Sequence, residues 1–134
     1  MRLNNPGNIR HGSSRWVGAA ADQPDKSFVK FRSLAYGYRA LWILLSNYYH
    51  KYHLRTIRAI LQRYAPPSEN NTEGYIQRAA QYVGVAPDTE LPAPPDDQNL
   101  WSRLLTIITK VEQGIDIKEV DQSAISEGYQ LAFG

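Results

Sequence analysis

The sequence predicts a mainly helical α+β domain, with a short N-terminal β-hairpin region packed on about five helices. Three observations carry this expectation. After residue 33, apolar residues recur at three- and four-residue steps in five separate stretches. Residues 4–32 instead offer short apolar pieces, Ile9-Arg10, Trp16-Val17 and Phe28-Val29-Lys30-Phe31, separated by Gly and Ser. The 134 residues are 43% hydrophobic and 21% charged, which suits one domain, 1–134, around a single core.

Asn4-Asn5-Pro6-Gly7-Asn8 opens the chain with turn chemistry, because Asn and Gly tolerate positive φ and Pro fixes its own. Leu34, Tyr38, Leu41, Trp42, Leu45, Tyr48, Tyr49 and Tyr52 then mark one face of a long first helix. The aromatic stripe Trp42, Tyr48, Tyr49 and Tyr52 suits a core at this spacing better than a row for sugar rings. Thr56 caps a short second helix carrying Ile57, Ile60, Leu61 and Tyr64. Pro66 ends it by disfavouring helical geometry at Ala65. Asn71 or Thr72 caps a third helix with Tyr75, Ile76, Ala79, Tyr82 and Val83, closed by Gly84. Four prolines make 85–96 an extended connection, long enough to wrap across the surface. Asp96 or Asp97 caps a fourth helix, in which Leu100, Trp101, Leu104, Leu105, Ile108 and Val111 share a face and Gly114 is the stop. A fifth runs from about Asp121 to Leu131.

Several classes are disfavoured. No apolar run is long enough to span a bilayer. The first residues lack the apolar stretch of a signal peptide. Cysteine is absent, and His11, His50 and His53 have no metal-ligand spacing, so neither metal nor cofactor is expected. The net charge of +2 hides a split: residues 1–63 hold 11 Lys/Arg against 2 Asp/Glu (+9), and residues 64–134 hold 4 against 11 (−7). A basic half suits nucleic acid, an acidic wall polymer, or the acidic half of the same fold. Scatter over several elements disfavours nucleic acid. Arg10, Arg15 and Arg39 are expected near the mouth of a groove.

The chemistry left to such a chain is that of carboxylates. Glu69 sits between the Pro66 stop and the Asn71 cap, and Glu112 ends the fourth helix. The last turn of a helix carries partial negative charge, which disfavours a carboxylate and suits a general acid. The plainer alternatives are a corner acid for Glu69 and a solvated acid for Glu112.

Glu112-Gln113-Gly114 at the end of an apolar helix resembles the Glu-x-Gly signature of lysozyme-like glycosidases and lytic transglycosylases. Asn4-Asn5-Pro6-Gly7-Asn8-Ile9-Arg10, with Trp16 and Phe28 after it, looks like the Asn-Asn stretch that follows the catalytic helix in the glucosaminidase branch. The order here is inverted, as in a circular permutation. Across residues 3–131 the chain also resembles small phage and prophage proteins labelled structural. These share Asn-Asn-Pro-x-Asn-Ile-Arg, Gly37-Tyr38-Arg39-Ala40 and Ala-Pro-Pro-x-Glu-Asn-x-Thr-x-x-Tyr.

The first resemblance implies a lysozyme-like arrangement and cleavage of peptidoglycan glycan strands, as a muramidase, glucosaminidase or lytic transglycosylase acting at the cell wall. Glu112 would be the general acid and Glu69 a second carboxylate or orienting group. Asn4, Asn5, Asn8, Arg10 and Tyr75 would contact the sugars. A permuted order requires Glu112 to lie beside the Asn4–Asn8 loop. The alternative is a non-catalytic virion structural or cell-wall-binding protein that keeps the fold without the chemistry.

Overall fold

The computed structural model describes residues 1–13 and 15–134. Its five α-helices, in order, are α1 (Leu34–His50), α2 (Ile57–Tyr64), α3 (Thr72–Val83), α4 (Gln98–Gln113) and α5 (Gln122–Phe133). Single 3₁₀ turns at Pro94–Asp96 and Ile117–Glu119 precede α4 and α5.

Local chemistry places the helix ends. Ser33, Thr56, Asn71, Asp97 and Asp121 each accept a bond from a backbone N–H of the first turn of their helix. Gly84 and Gly114, both left-handed, close α3 and α4. The apolar faces then meet. α1 lies most extensively against α5, where a Cβ at Gly128 would stand 2.9 Å from the Arg39 nitrogen, and α3 lies against α4. Trp42 and Trp101 are fully buried, and each indole N–H has a carbonyl partner, Ile125 O and Pro92 O, both at 2.9 Å. Trp42, Tyr48 and Tyr49 of the aromatic stripe belong to this core, whereas Tyr52 lies past the end of α1 and is 43% exposed. The proline-rich connection wraps as a strap. Leu91 N donates to Arg55 O at 2.8 Å, and Leu91 O accepts the Tyr49 hydroxyl at 2.8 Å.

The N-terminal region corrects the α+β expectation. Among the described residues there is no β-strand, only isolated antiparallel bridges at Arg10–Phe28 and Ala19–Phe31. The fold is all-helical, and the lysozyme-like arrangement with a β-hairpin is overturned. The reason lies in what satisfies the backbone here. Asn5, 2% exposed, donates its amide to Ile9 O (2.9 Å) and Val29 O (2.8 Å) and accepts from Ile9 N (2.9 Å). Asp25 accepts from Ser27 N and Phe28 N, and the Gln23 side chain bonds Lys30 N, Lys30 O and Ala20 O. Side chains occupy the backbone groups that a second strand would need. Positive φ at Asn4 (53°), Asn8 (51°) and Gly18 (83°) bends the chain out of the pleat as well. Val29, Phe31, Ile9 and Ala40 close a small second core that seats this region on α1.

Candidate functional site

The end of α4 meets the Asn4–Asn8 loop. The Gln113 amide donates to Asn5 O at 2.9 Å, Pro6 O at 3.1 Å and Asn8 Oδ1 at 3.1 Å. The Asn8 amide answers by donating to Glu112 O at 3.0 Å and Glu112 Oε1 at 3.2 Å. The Tyr75 hydroxyl from α3 donates to Glu112 Oε2 at 3.2 Å, and the Tyr64 hydroxyl from α2 donates to Gly7 O. On the α1 side the loop rests on Gly37, where a Cβ would collide with the Asn4 carbonyl and stand 2.8 Å from Pro6 Cδ. Gly37→Ala is therefore expected to lift the loop off α1 and cost about 1–3 kcal/mol, the usual range for overpacking. Urea denaturation would read this as a lower midpoint with an unchanged slope.

Beside this junction opens a cleft of ≈ 430 Å³. Trp16, Phe28, Tyr48 and Tyr64 give it aromatic walls, and Arg10, Glu69, Asn70 and Glu112 supply its polar groups. Burial is the main force raising the Tyr48, Tyr64 and Tyr75 phenol pKa values above the ordinary range, with the Glu112 carboxylate adding to it at Tyr75 and, after Tyr75, at Tyr64. These phenols keep their protons, so Tyr64 and Tyr75 serve as hydrogen-bond donors. A second pocket, lined in part by His11, Arg15 and Gln23, shares Gly12, Ser13 and Trp16 with the cleft.

The residues expected to act are placed unequally. Glu112 is half-buried, lines the cleft and lies beside Asn8 despite the 104 positions between them. Glu69 lines the same cleft but is exposed, and no described donor reaches its carboxylate. Stiffness at that corner comes from other groups, Asn71 capping α3 and Thr72 donating to Ala65 O. Asn5 is buried and committed to backbone, Asn4 donates to Phe31 O at 3.1 Å, and Tyr75 is 3% exposed behind Glu112. Asn8 and Arg10 line the cleft, Arg15 lines the second pocket, and Arg39 lines neither.

The glycosidase assignment is overturned here. In most families, cleavage of this kind uses two carboxylates held across the scissile bond, one of them offering a proton, and in substrate-assisted families the sugar's own acetamido group replaces the second. Among the described residues no hydrogen bond holds the Glu69 carboxylate in place, and both Glu112 oxygens already face protein donors. No group of three His, Asp or Glu side chains forms a metal-holding cluster among the described residues. The sheet of a lysozyme-type site is absent there too. The hydrolase, transglycosylase and bacteriolytic readings fall with it, as does the permuted lysozyme.

Residue-level reasoning passed over Gln113, Tyr64 and Asn70. Gln113 was visible only as the middle of Glu112-Gln113-Gly114, and Tyr64 read as one more apolar position of α2. Neither carries a local mark of its long-range partner.

No family model matches the chain. It is similar to Protein P5 of Pseudoalteromonas phage PM2, at 30% identity over an alignment of 136 positions that covers 99% of this chain and 81% of that protein.

Proposed function

The chain belongs to the family of Protein P5 of Pseudoalteromonas phage PM2, and from that premise we propose a non-catalytic phage virion component that binds cell-wall glycan in its aromatic cleft. One observation carries the reading: the half-buried one of the two cleft carboxylates, Glu112, has each oxygen engaged by the protein's own donors, inside walls built from aromatic rings. A carboxylate so held ties the Asn4–Asn8 loop to α3 and α4 and keeps the cleft in shape. The face of Trp16 is suited to the apolar face of a pyranose ring, and Arg10 and Asn70 to its hydroxyls. Among the described residues no helix is long and apolar enough to cross a membrane.

Purified peptidoglycan sacculi test this. The protein is expected to co-sediment with sacculi and to release no soluble muropeptide. Trp16→Ala is expected to weaken binding about tenfold, the loss of one aromatic contact. Absence of binding, or release of glycan fragments by the wild type, would overturn the reading.

A further inference from the structure

From Lys26 to Ser68 the chain runs 43 residues without an Asp or Glu while carrying eight Lys/Arg. Among the described residues only Lys30 and Arg58 of these eight form ion pairs, with acids outside the stretch. Folding gathers two of the others, Lys51 and Arg63, at one corner, where the end of α1 meets α2. The Arg63 guanidinium lies 4.1 Å from the Tyr52 ring centre and 5.4 Å from that of Tyr48. Lys51 lies over the same Tyr52 ring at 5.5 Å, and Arg55 over Tyr49 at 4.8 Å. Lys51 and Arg63 are exposed.

The edge of a guanidinium lying against a ring carries N–H donors in a fork that matches phosphate oxygens. Arg55 commits donors to Tyr49 O and His53 Nδ1, both at 3.4 Å, so Lys51 and Arg63 are the cations of this corner. The tyrosine rings also hold the cations in one place, so less rotamer freedom remains to be lost on binding. This corner adjoins the cleft through Tyr48, whose ring both lines the cleft and carries Arg63. A ligand filling the cleft and extending past Tyr48 would bring its next substituent to Lys51 and Arg63. We infer that the Lys51–Arg63 corner is an anion subsite continuous with the cleft, and that the bound glycan is a phosphorylated one. This rests on the glycan reading of the cleft. A nucleic-acid duplex fits less well, since its phosphates form a long track and these cations converge beside a pocket.

Calorimetric titration of the full chain decides the matter with three probes: a neutral β-1,4-linked N-acetylglucosamine oligomer, the same oligomer bearing 6-phosphate groups, and duplex DNA. The phosphorylated oligomer is expected to bind on the order of tenfold more tightly than the neutral one, the sum of a few exposed charge contacts. That preference should vanish in Lys51→Gln/Arg63→Gln and in about 0.5 M salt, while affinity for the neutral oligomer holds. Circular dichroism and an unchanged Tm would show that the double variant is folded. No phosphate preference, or one the double variant keeps, overturns the subsite. DNA binding tighter than the phosphorylated oligomer and lost in the double variant overturns the saccharide. Phosphate-dependent binding with no affinity for the neutral oligomer leaves the subsite standing and sinks the cleft reading, and binding of neither oligomer sinks both.

Discussion

Above about pH 10 the fold is expected to lose stability steeply, by up to about 1.4 kcal/mol per pH unit for each phenol that ionises only on unfolding. Four tyrosines meet that condition. Burial pushes the Tyr38 phenol up to about 12, against the lowering effect of its 2.8 Å bond with Thr109 Oγ1. Burial also raises Tyr48, and it raises Tyr64 and Tyr75 further with the Glu112 charge adding to the effect. Below the ordinary phenol value these groups are protonated whether the chain is folded or not, and they make stability neither rise nor fall with pH. Between that value and the raised one, only the unfolded chain releases the proton, so folding is lost as pH rises. For Tyr38 the loss continues to about pH 12. Tyr38, Tyr64 and Tyr75 together reach a slope of about 4 kcal/mol per pH unit, with Tyr48 adding to it, against a total stability of about 5–15 kcal/mol for a domain. Cooperative unfolding should follow within about two pH units above pH 10. Urea midpoints measured at stepped pH would show it, and Tyr75→Phe should make the slope shallower. A midpoint that stays level to about pH 11 would show that the phenols ionise without unfolding the chain.

Asn5→Ala is expected to cost about 3–5 kcal/mol, the largest single-residue effect outside the apolar core. Its amide holds Ile9 O and Val29 O and its carbonyl accepts from Ile9 N, all within 2.8–2.9 Å. Ile9 O would keep a second donor, Val29 N at 3.0 Å, but Ile9 N and Val29 O have no other described partner. No buried side-chain polar atom among the described residues now lacks a partner, so the variant would create orphans where there were none. Each orphan costs about 1–3 kcal/mol, and the emptied space adds to it. Thermal and urea denaturation would measure the loss. Asn5→Asp should rescue little, because it restores the acceptor for Ile9 N while bringing a charge towards two carbonyls. A cost below about 1 kcal/mol would mean that water replaces the amide.

The helices were legible because their determinants are local. Thr56, Asp97 and Asp121 stand within a few residues of the N–H groups they cap. Apolar spacing marked Trp42, Leu45, Ile60, Leu104 and Ile108 as core, and all are fully buried. The proximity of Glu112 to the Asn4–Asn8 loop was also within reach, through the motifs at either end. The role of Glu112 was not. A glutamate at a helix end reads alike whether it offers a proton to a ligand or accepts bonds from Asn8 and Tyr75, which lie 104 and 37 positions away.

By itself the sequence determined five helices, the caps Thr56 and Asp121, the stops Pro66, Gly84 and Gly114, the strap of residues 85–96 and the basic character of the first half, since each depends on neighbours along the chain. Only the tertiary structure decided that the described residues of the 4–32 stretch form no sheet. Extended pieces become strands when their backbone groups find one another, and here the side chains of Asn5, Gln23 and Asp25 reach those groups first. The same step brought Glu112 to Asn8 and Tyr75 and drew Lys51 and Arg63 to the Tyr52 ring, because hydrogen-bond partners and charge neighbours are set by packing across the chain.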